Sequence, residues 1–342
     1  MIKISDIAAE LDLSRVTVSA ILNDRYKKLG ISEKTAHRVL AHAETMGYVP
    51  NQNALSMRTG RSLTIGILSS SLSEDWGAKI LVGALRAIQS TQYLLRVEAV
   101  QGAEEERGAL ERLLKSRIEG LFCCNINPAS ESDEFFKLAT ERYGVAVASN
   151  NCSFSFPHAR IESDNSTAVM SLMEHLVGLG HRQIAHIGGD RSSGVSRERS
   201  EAFLRAVEHF NLKPDECPVR FSNWELDQAR TTARQLLEFS EPPTAILCVS
   251  DTIAACVLQV ANELNLEIPS ELSVVGITNE HMSQLTVPRL TTVGMPCEEI
   301  GHAGMLALID LIESKREIAT QEITRYPCTP VYRDSSAAAR SL

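Results

Sequence analysis

Over the first fifty positions apolar residues recur at helical spacing; from residue 63 onward they gather into short continuous runs. Ile7, Ala8 and Leu11 share one helical face. Ser14 is placed to cap a second helix with apolar positions Val18, Ile21 and Leu22. Ser32 is placed to cap a third, running through Val39, Leu40 and Met46 and stopped by Gly47. Pro50 and Asn51 break the pattern, and Asn51–Ser62 reads as a linker able to form a helical turn or two. Strand-length runs then begin at Leu63 (LTIGIL), Leu94 (LLRVEAV), Glu119 (EGLFCC), Gly144 (GVAVAS), Gln183 (QIAHIGG), Ala245 (AILCVS) and Leu272 (LSVVGIT). Amphipathic helices are predicted between them, at about 77–90, 104–116, 131–142, 165–179, 197–210, 226–239, 252–265 and 298–314. Alternating helices and continuous apolar strands imply parallel sheets covered on both faces. The length of this region suggests two doubly wound lobes, with ligands expected at the carboxyl ends of the strands, in a cleft between lobes.

Composition changes this picture little. The chain has 342 residues, 44% of them hydrophobic, and a net charge of −9, the profile of a folded protein with real cores. No apolar run approaches the roughly 18 residues needed to cross a bilayer, and MIKISDIAAELDL lacks the features of a signal peptide. The eight cysteines form no CxxC pair, which reads as reduced thiols in the cytoplasm. Charge is unevenly spread. Residues 1–61 carry nine Lys/Arg and six Asp/Glu, a net +3, leaving −12 for the remainder. A basic head on an acidic body favours polyanion contact at one end.

The stretch ISDIAAELDLSRVTVSAILN (Ile4–Asn23) meets the requirements of a helix-turn-helix. Ala8 or Ala9 is small where the helices cross, and Asp12 is one of the few non-glycine residue types that visit the left-handed conformation of the turn. A capped second helix follows, with Arg15, Val16, Thr17 and Ser19 near its start. With Asp6–Ala8 (DIA), Thr17–Asn23 (TVSAILN) and Gly47–Asn51 (GYVPN), the segment resembles the headpiece of the LacI/GalR family of bacterial transcription regulators. The resemblance continues over nearly the whole chain, through HLVGLGHRQIAHIGG from His175, PTAILCVSD from Pro243, LSVVGIT from Leu272 and PRLTTVGMPCEEIG from Pro288. It implies a small all-α helix-turn-helix headpiece at 1–50 and a hinge at 51–61. A two-lobed α/β effector-sensing domain of periplasmic-binding-protein type follows at 62–335, with a tail at 336–342. Lobe one is then about 62–162 plus 295–323, and lobe two about 163–293 plus 324–333.

The resemblance also implies residue roles. Arg15, Val16 and Ala20 would face base edges in the major groove, Arg15 pairing with a guanine or, alternatively, contacting a phosphate. Val16 and Ala20 offer only apolar contact. Thr17, Ser19 and Asn23 would position the DNA backbone. Two features depart from the family. Asp12 stands where the family usually has Gly, and the loop from Asp24 to Gly30 is long and carries Arg25, Lys27 and Lys28, expected to add phosphate contacts. In the hinge, Asn51, Ala54, Met57 and Arg58 fall at DNA-contacting positions, with Met57 where the family has a minor-groove leucine wedge.

In the sensing domain Arg199 matches an arginine that grips the effector, or else pairs within its helix. Asp251 ends a strand, where it would face the effector or cap the following helix. Trp76 and Trp224, the only tryptophans, fall in loops near the cleft and could stack on a sugar or serve as core or dimer contacts. Ser70 lies beyond the first strand. Asn151 and Thr278 lie at or beside positions where the family often has aspartates. That change suggests a less negative pocket, better suited to a sugar acid, a sugar phosphate or an unusual oligosaccharide than to an ordinary neutral hexose. No catalytic constellation, cofactor motif or zinc spacing is present. The expectation is a homodimeric repressor on palindromic double-stranded operator DNA, modulated by a small effector, without enzymatic activity or membrane association. The alternative is a sugar-binding protein without DNA-binding activity.

Overall fold

The computed structural model describes residues 2–340 apart from 24, 50–55, 57–59, 128–129, 153, 315, 317 and 319. It divides into two units, 1–62 and 63–342.

In the first unit, helices α1 (Ile4–Glu10), α2 (Arg15–Leu22) and α3 (Glu33–Thr45) enclose a core of Ile7, Ala8, Val18, Ile21, Ala36, Val39 and Ala43. The two serine caps form as expected. Ser14 accepts from the Thr17 N–H at 3.0 Å and Ser32 from the Thr35 N–H at 3.2 Å. Asp12 adopts φ 51°, so the α1–α2 turn uses the left-handed conformation its residue type allows. Arg38 donates from Nη2 to the Leu11 carbonyl at 2.7 Å, tying that turn to α3.

In the second unit, lobe one is a parallel six-stranded sheet in the order β11-β5-β4-β3-β1-β2. Its strands are β1 (Thr64–Ser69), β2 (Leu94–Ala99), β3 (Gly120–Cys124), β4 (Ala146–Asn150), β5 (Ala159–Ser163) and β11 (Glu322–Tyr326). Helices α4 (Asp75–Ile88), α5 (Ala103–Lys115), α6 (Ser130–Tyr143) and α11 (Cys297–Ser314) accompany it. Lobe two is a parallel four-stranded sheet, β7-β6-β8-β9, built from β6 (Ile184–Gly188), β7 (Val219–Phe221), β8 (Ala245–Cys248) and β9 (Ser273–Val275). Its helices are α7 (Asn165–Gly178), α8 (Gly194–His209), α9 (Leu226–Leu237) and α10 (Asp251–Glu263). The central strands β3, β6 and β8 are buried along their whole length, which is why they read as unbroken apolar runs. An antiparallel pair, β10 (Thr292–Gly294) with β12 (Thr329–Val331), lies where the chain passes between the lobes.

Two boundaries need correction. The crossing expected at 323/324 falls inside β11, which pairs with β5 and so stays with lobe one; the chain returns to lobe two only after Tyr326. The segment set apart as a tail is docked on lobe two: the Ala339 N–H donates to the Leu179 carbonyl at 2.9 Å and the Ala337 N–H to the Ser273 hydroxyl at 3.1 Å. Its backbone groups find partners along lobe two, and small side chains let it lie close. The predicted helices lie within a turn of where the pattern places them.

Candidate functional site

In the first unit, α2 turns Arg15 and Val16 outward. Val16 is 73% exposed, and Arg15 is exposed with no hydrogen-bond or ion-pair partner among the described residues. Thr17, Ser19 and Asn23 are half-buried and bonded within their own helix. The Thr17 hydroxyl lies 2.8 Å from the Ser14 hydroxyl, and Asn23 Nδ2 donates to the Ser19 carbonyl at 2.5 Å. Ala20 is a correction. It is only 1% exposed, and a side chain one carbon long does not emerge past its neighbours to offer the expected base contact. Arg25, Lys27 and Lys28 are exposed in the loop before α3. Asn51, Ala54, Met57 and Arg58 lie outside the described residues.

In the second unit, a cleft of about 660 Å³ runs between the lobes, and its walls are the segments that follow strand ends. Ser70 and Trp76 follow β1, Asn125 and Asn127 follow β3, and Asn151 follows β4. From lobe two come Asp190, Ser192 and Ser193 after β6, Trp224 after β7, Thr252 after β8 and Thr278 after β9. Six of the seven expected effector residues therefore meet here: Ser70, Trp76, Asn151, Arg199, Trp224 and Thr278.

Their local bonding differs. Ser70 donates to the Asn125 carbonyl at 2.6 Å and accepts from Asn125 Nδ2 at 3.0 Å. Asn151 takes a left-handed φ of 53°, and its N–H is held by Glu162 Oε2 at 3.0 Å. Trp224, at φ 64° and 40% exposed, lays its indole on Gly189 so closely that a Cβ there would lie 2.3 Å from the ring. Glycine is required at that contact. Arg199 is 3% exposed and donates to three neutral groups: Asn165 Oδ1 at 2.8 Å, the Val249 carbonyl at 2.6 Å and Met295 Sδ at 3.1 Å. Burial lowers its pKa to about 10.

Asp251 is a second correction. It is fully buried and does not line the cleft. Its Oδ2 accepts from the Glu280 N–H at 2.8 Å and its Oδ1 from the Thr292 hydroxyl at 2.5 Å. Burial raises its pKa to about 6 despite both bonds. The residue fixes the Thr278–Glu280 turn, in which Thr278 adopts φ 123°. The effector contact expected of Asp251 is thus replaced by a positioning role.

The expectation of a carboxylate-poor cleft is also overturned. Glu74, Glu106, Asp190 and Glu280 line it, with Arg199 as the one lining guanidinium among the described residues. Burial raises the pKa of Glu106; it also raises that of Glu280, whose oxygens accept from the hydroxyls of Thr252 at 3.0 Å and Thr278 at 3.2 Å. Hydrogen bonds from Ser192 lower that of Asp190. Glu74, Glu106 and Glu280 escaped the sequence reading, although one signal was available: Glu106 shares a helical face with Ala109, Leu110 and Leu113, all fully buried.

A helix-turn-helix unit carried by the same chain as a two-lobed body with a polar, tryptophan-flanked cleft is the make-up of a DNA-binding regulator of transcription. Comparison with known proteins agrees. Residues 3–51 match the family model for bacterial regulatory proteins of the lacI family, and residues 173–336 match the periplasmic binding protein-like domain. The chain is 27% identical over 322 residues to the HTH-type transcriptional repressor PurR of Escherichia coli O1:K1 / APEC, covering 93% of this chain and 92% of that one. The lac repressor dimer bound to operator and the anti-inducer ONPF shares the fold, with a TM-score of 0.84 at 24% identity over 98% of this chain and 99% of that one. The transcriptional regulator CelR in complex with cellobiose gives a TM-score of 0.73 at 20% identity, covering 98% and 100%. The two matches together give a lacI-family DNA-binding segment at 3–51 and a periplasmic binding protein-like domain at 173–336, the make-up of a LacI-type DNA-binding transcriptional repressor. No helix among the described residues is long and apolar enough to cross a membrane.

Proposed function

We propose that the protein acts in the cytoplasm as a homodimer, its two α2 helices reading the half-sites of a near-palindromic operator while a small polyhydroxylated effector, a sugar or sugar derivative, fills the cleft. The observation that carries the effector reading is the cleft itself. It joins two indole rings to walls of asparagine, serine and carboxylate groups, the combination that stacks on a sugar ring and grips its hydroxyls. A carboxylate-rich wall disfavours the sugar acids and sugar phosphates that the sequence brought forward. Support for a dimer comes from exposed apolar side chains: Leu94 and Val97 on the edge strand β2, Val82 and Leu85 on α4, and Val287 at 93% exposure.

Effector binding would change the angle between lobes and with it the spacing of the two headpieces. Coupling of this kind is usually worth about 1–3 kcal/mol. Arg15 reads a base or phosphate, Val16 contacts a thymine methyl, and Thr17, Ser19 and Asn23 meet the DNA backbone. Met57 acts as the minor-groove wedge, so Met57→Ala should weaken and straighten the complex; unchanged affinity and bend would reject that role. The test of the whole reading is a gel shift on DNA flanking the protein's own coding region, with and without sugars. A saturable, sequence-selective shift is expected. A protein that binds sugar but prefers no duplex would instead be a sugar-binding protein without DNA-binding activity.

A further inference from the structure

Glu106 sits on the buried face of α5 and is 3% exposed, yet it lines the effector cleft. Its Oε2 has no hydrogen-bond partner, and no Lys, Arg or His lies within ion-pair distance among the described residues. A carboxylate oxygen withdrawn from water and left without a donor is costly, and in a cleft wall a bound ligand is one group that can complete it. Across the cleft, Glu280 is 7% exposed, and its carboxylate accepts from the hydroxyls of Thr252 and Thr278. Glu74 and Asp190 add two further negative charges. The lining guanidinium of Arg199 already donates to Asn165, Val249 and Met295. A cleft with these walls concentrates cations and repels anions. A hydroxyl would satisfy the lone pairs of Glu106 and leave its charge uncompensated; an ammonium group does both.

We propose, building on the effector reading above, that the effector is a hydroxylated primary amine of amino-sugar type whose ammonium group donates to Glu106. Its hydroxyls meet the asparagines and its ring the indoles. Glu106 is then the residue that separates amine-bearing effectors from neutral ones.

The test uses the full-length protein at neutral pH and calorimetry with matched pairs of mono- and disaccharides that differ only by amine or hydroxyl at one carbon. Gluconate, glucose 6-phosphate and a purine base serve as further probes. Amine members should bind roughly tenfold or more tightly than their hydroxyl twins. Glu106→Gln, nearly isosteric, should erase that ratio, the amine members losing at least about tenfold more affinity than their hydroxyl twins. The same substitution should raise the melting temperature of the ligand-free protein, which a merely structural glutamate would not do. Equal or tighter binding of the neutral twins overturns the assignment. So does preference for the acid, the phosphate or the purine, or failure of every amine while a gel shift shows operator binding intact. Amine binding by a protein that binds no duplex leaves the assignment standing and removes the regulator reading instead.

Discussion

Asp251 in lobe two and Glu106 in lobe one are both buried carboxylates, at 0% and 3% exposure. Asp251 accepts from a backbone N–H and a hydroxyl, whereas Glu106 Oε2 accepts from no group among the described residues. The headpiece repeats the contrast on adjacent residues. Ser14 is bonded to the helix it caps, and Arg15 projects without a partner among the described residues. Burial or position near a site does not distinguish architecture from recognition; whether the polar group has already found its partner does.

The largest break of this comparison would come at Asp251. Asp251→Ala removes the acceptor of the Glu280 N–H and of the Thr292 hydroxyl, and should cost about 2–4 kcal/mol in urea unfolding. A loss under about 0.5 kcal/mol would mean that these bonds do not hold the turn. Next comes pH. Burial raises the pKa of Asp251 from 3.8 to about 6, so the native state binds the extra proton between those values, and acidification through that window stabilises it by up to about 3 kcal/mol. Buried His186, lowered from 6.5 to about 4, opposes this by resisting protonation over much of the same window. Asp251→Asn should therefore lose stability more steeply than the parent protein as pH falls from 6 to 4; parallel curves would contradict the raised carboxylate. In the headpiece, Arg15→Ala should cost roughly 1–3 kcal/mol of operator affinity in a gel shift and almost nothing in unfolding. The smallest effect belongs to Ser14→Ala, about 1 kcal/mol of headpiece stability by circular dichroism, from loss of the cap. Equal stability losses at Ser14 and Arg15 would erase the distinction between them.

What could be read in advance follows the range of the forces involved. The headpiece is held by local signals, namely caps at Ser14 and Ser32, a left-handed Asp12 and apolar faces at helical spacing, so its three helices were visible in the chain. Most of the buried strands and their covering helices were visible for the same reason. Buried β5 was missed because Arg160 and Glu162 interrupt its apolar positions, the short strands β7, β10 and β12 because three residues outside a longer apolar run show no period, and β11 because its residues are mostly exposed. In the cleft, the residues after strand ends were legible as a set. Which way each one points was not. Asp251 turns inward because a backbone N–H and a hydroxyl from distant segments receive it, Ala20 is covered despite its place on the reading helix, and Glu280 turns back to the threonines beside it. Only Glu106 left a local trace, as an acid on an otherwise apolar face.

The interleaving of the body has a consequence for the order in which the protein is made. Lobe one waits for β11 at Glu322–Tyr326, and lobe two waits for Ser335 to dock against Val274. A nascent chain released from the ribosome much before these positions would carry a finished DNA-reading unit, whose core closes by Ala43, on a sensor missing an edge of each half. Such a fragment would keep its reading helix and lose the means of responding to anything.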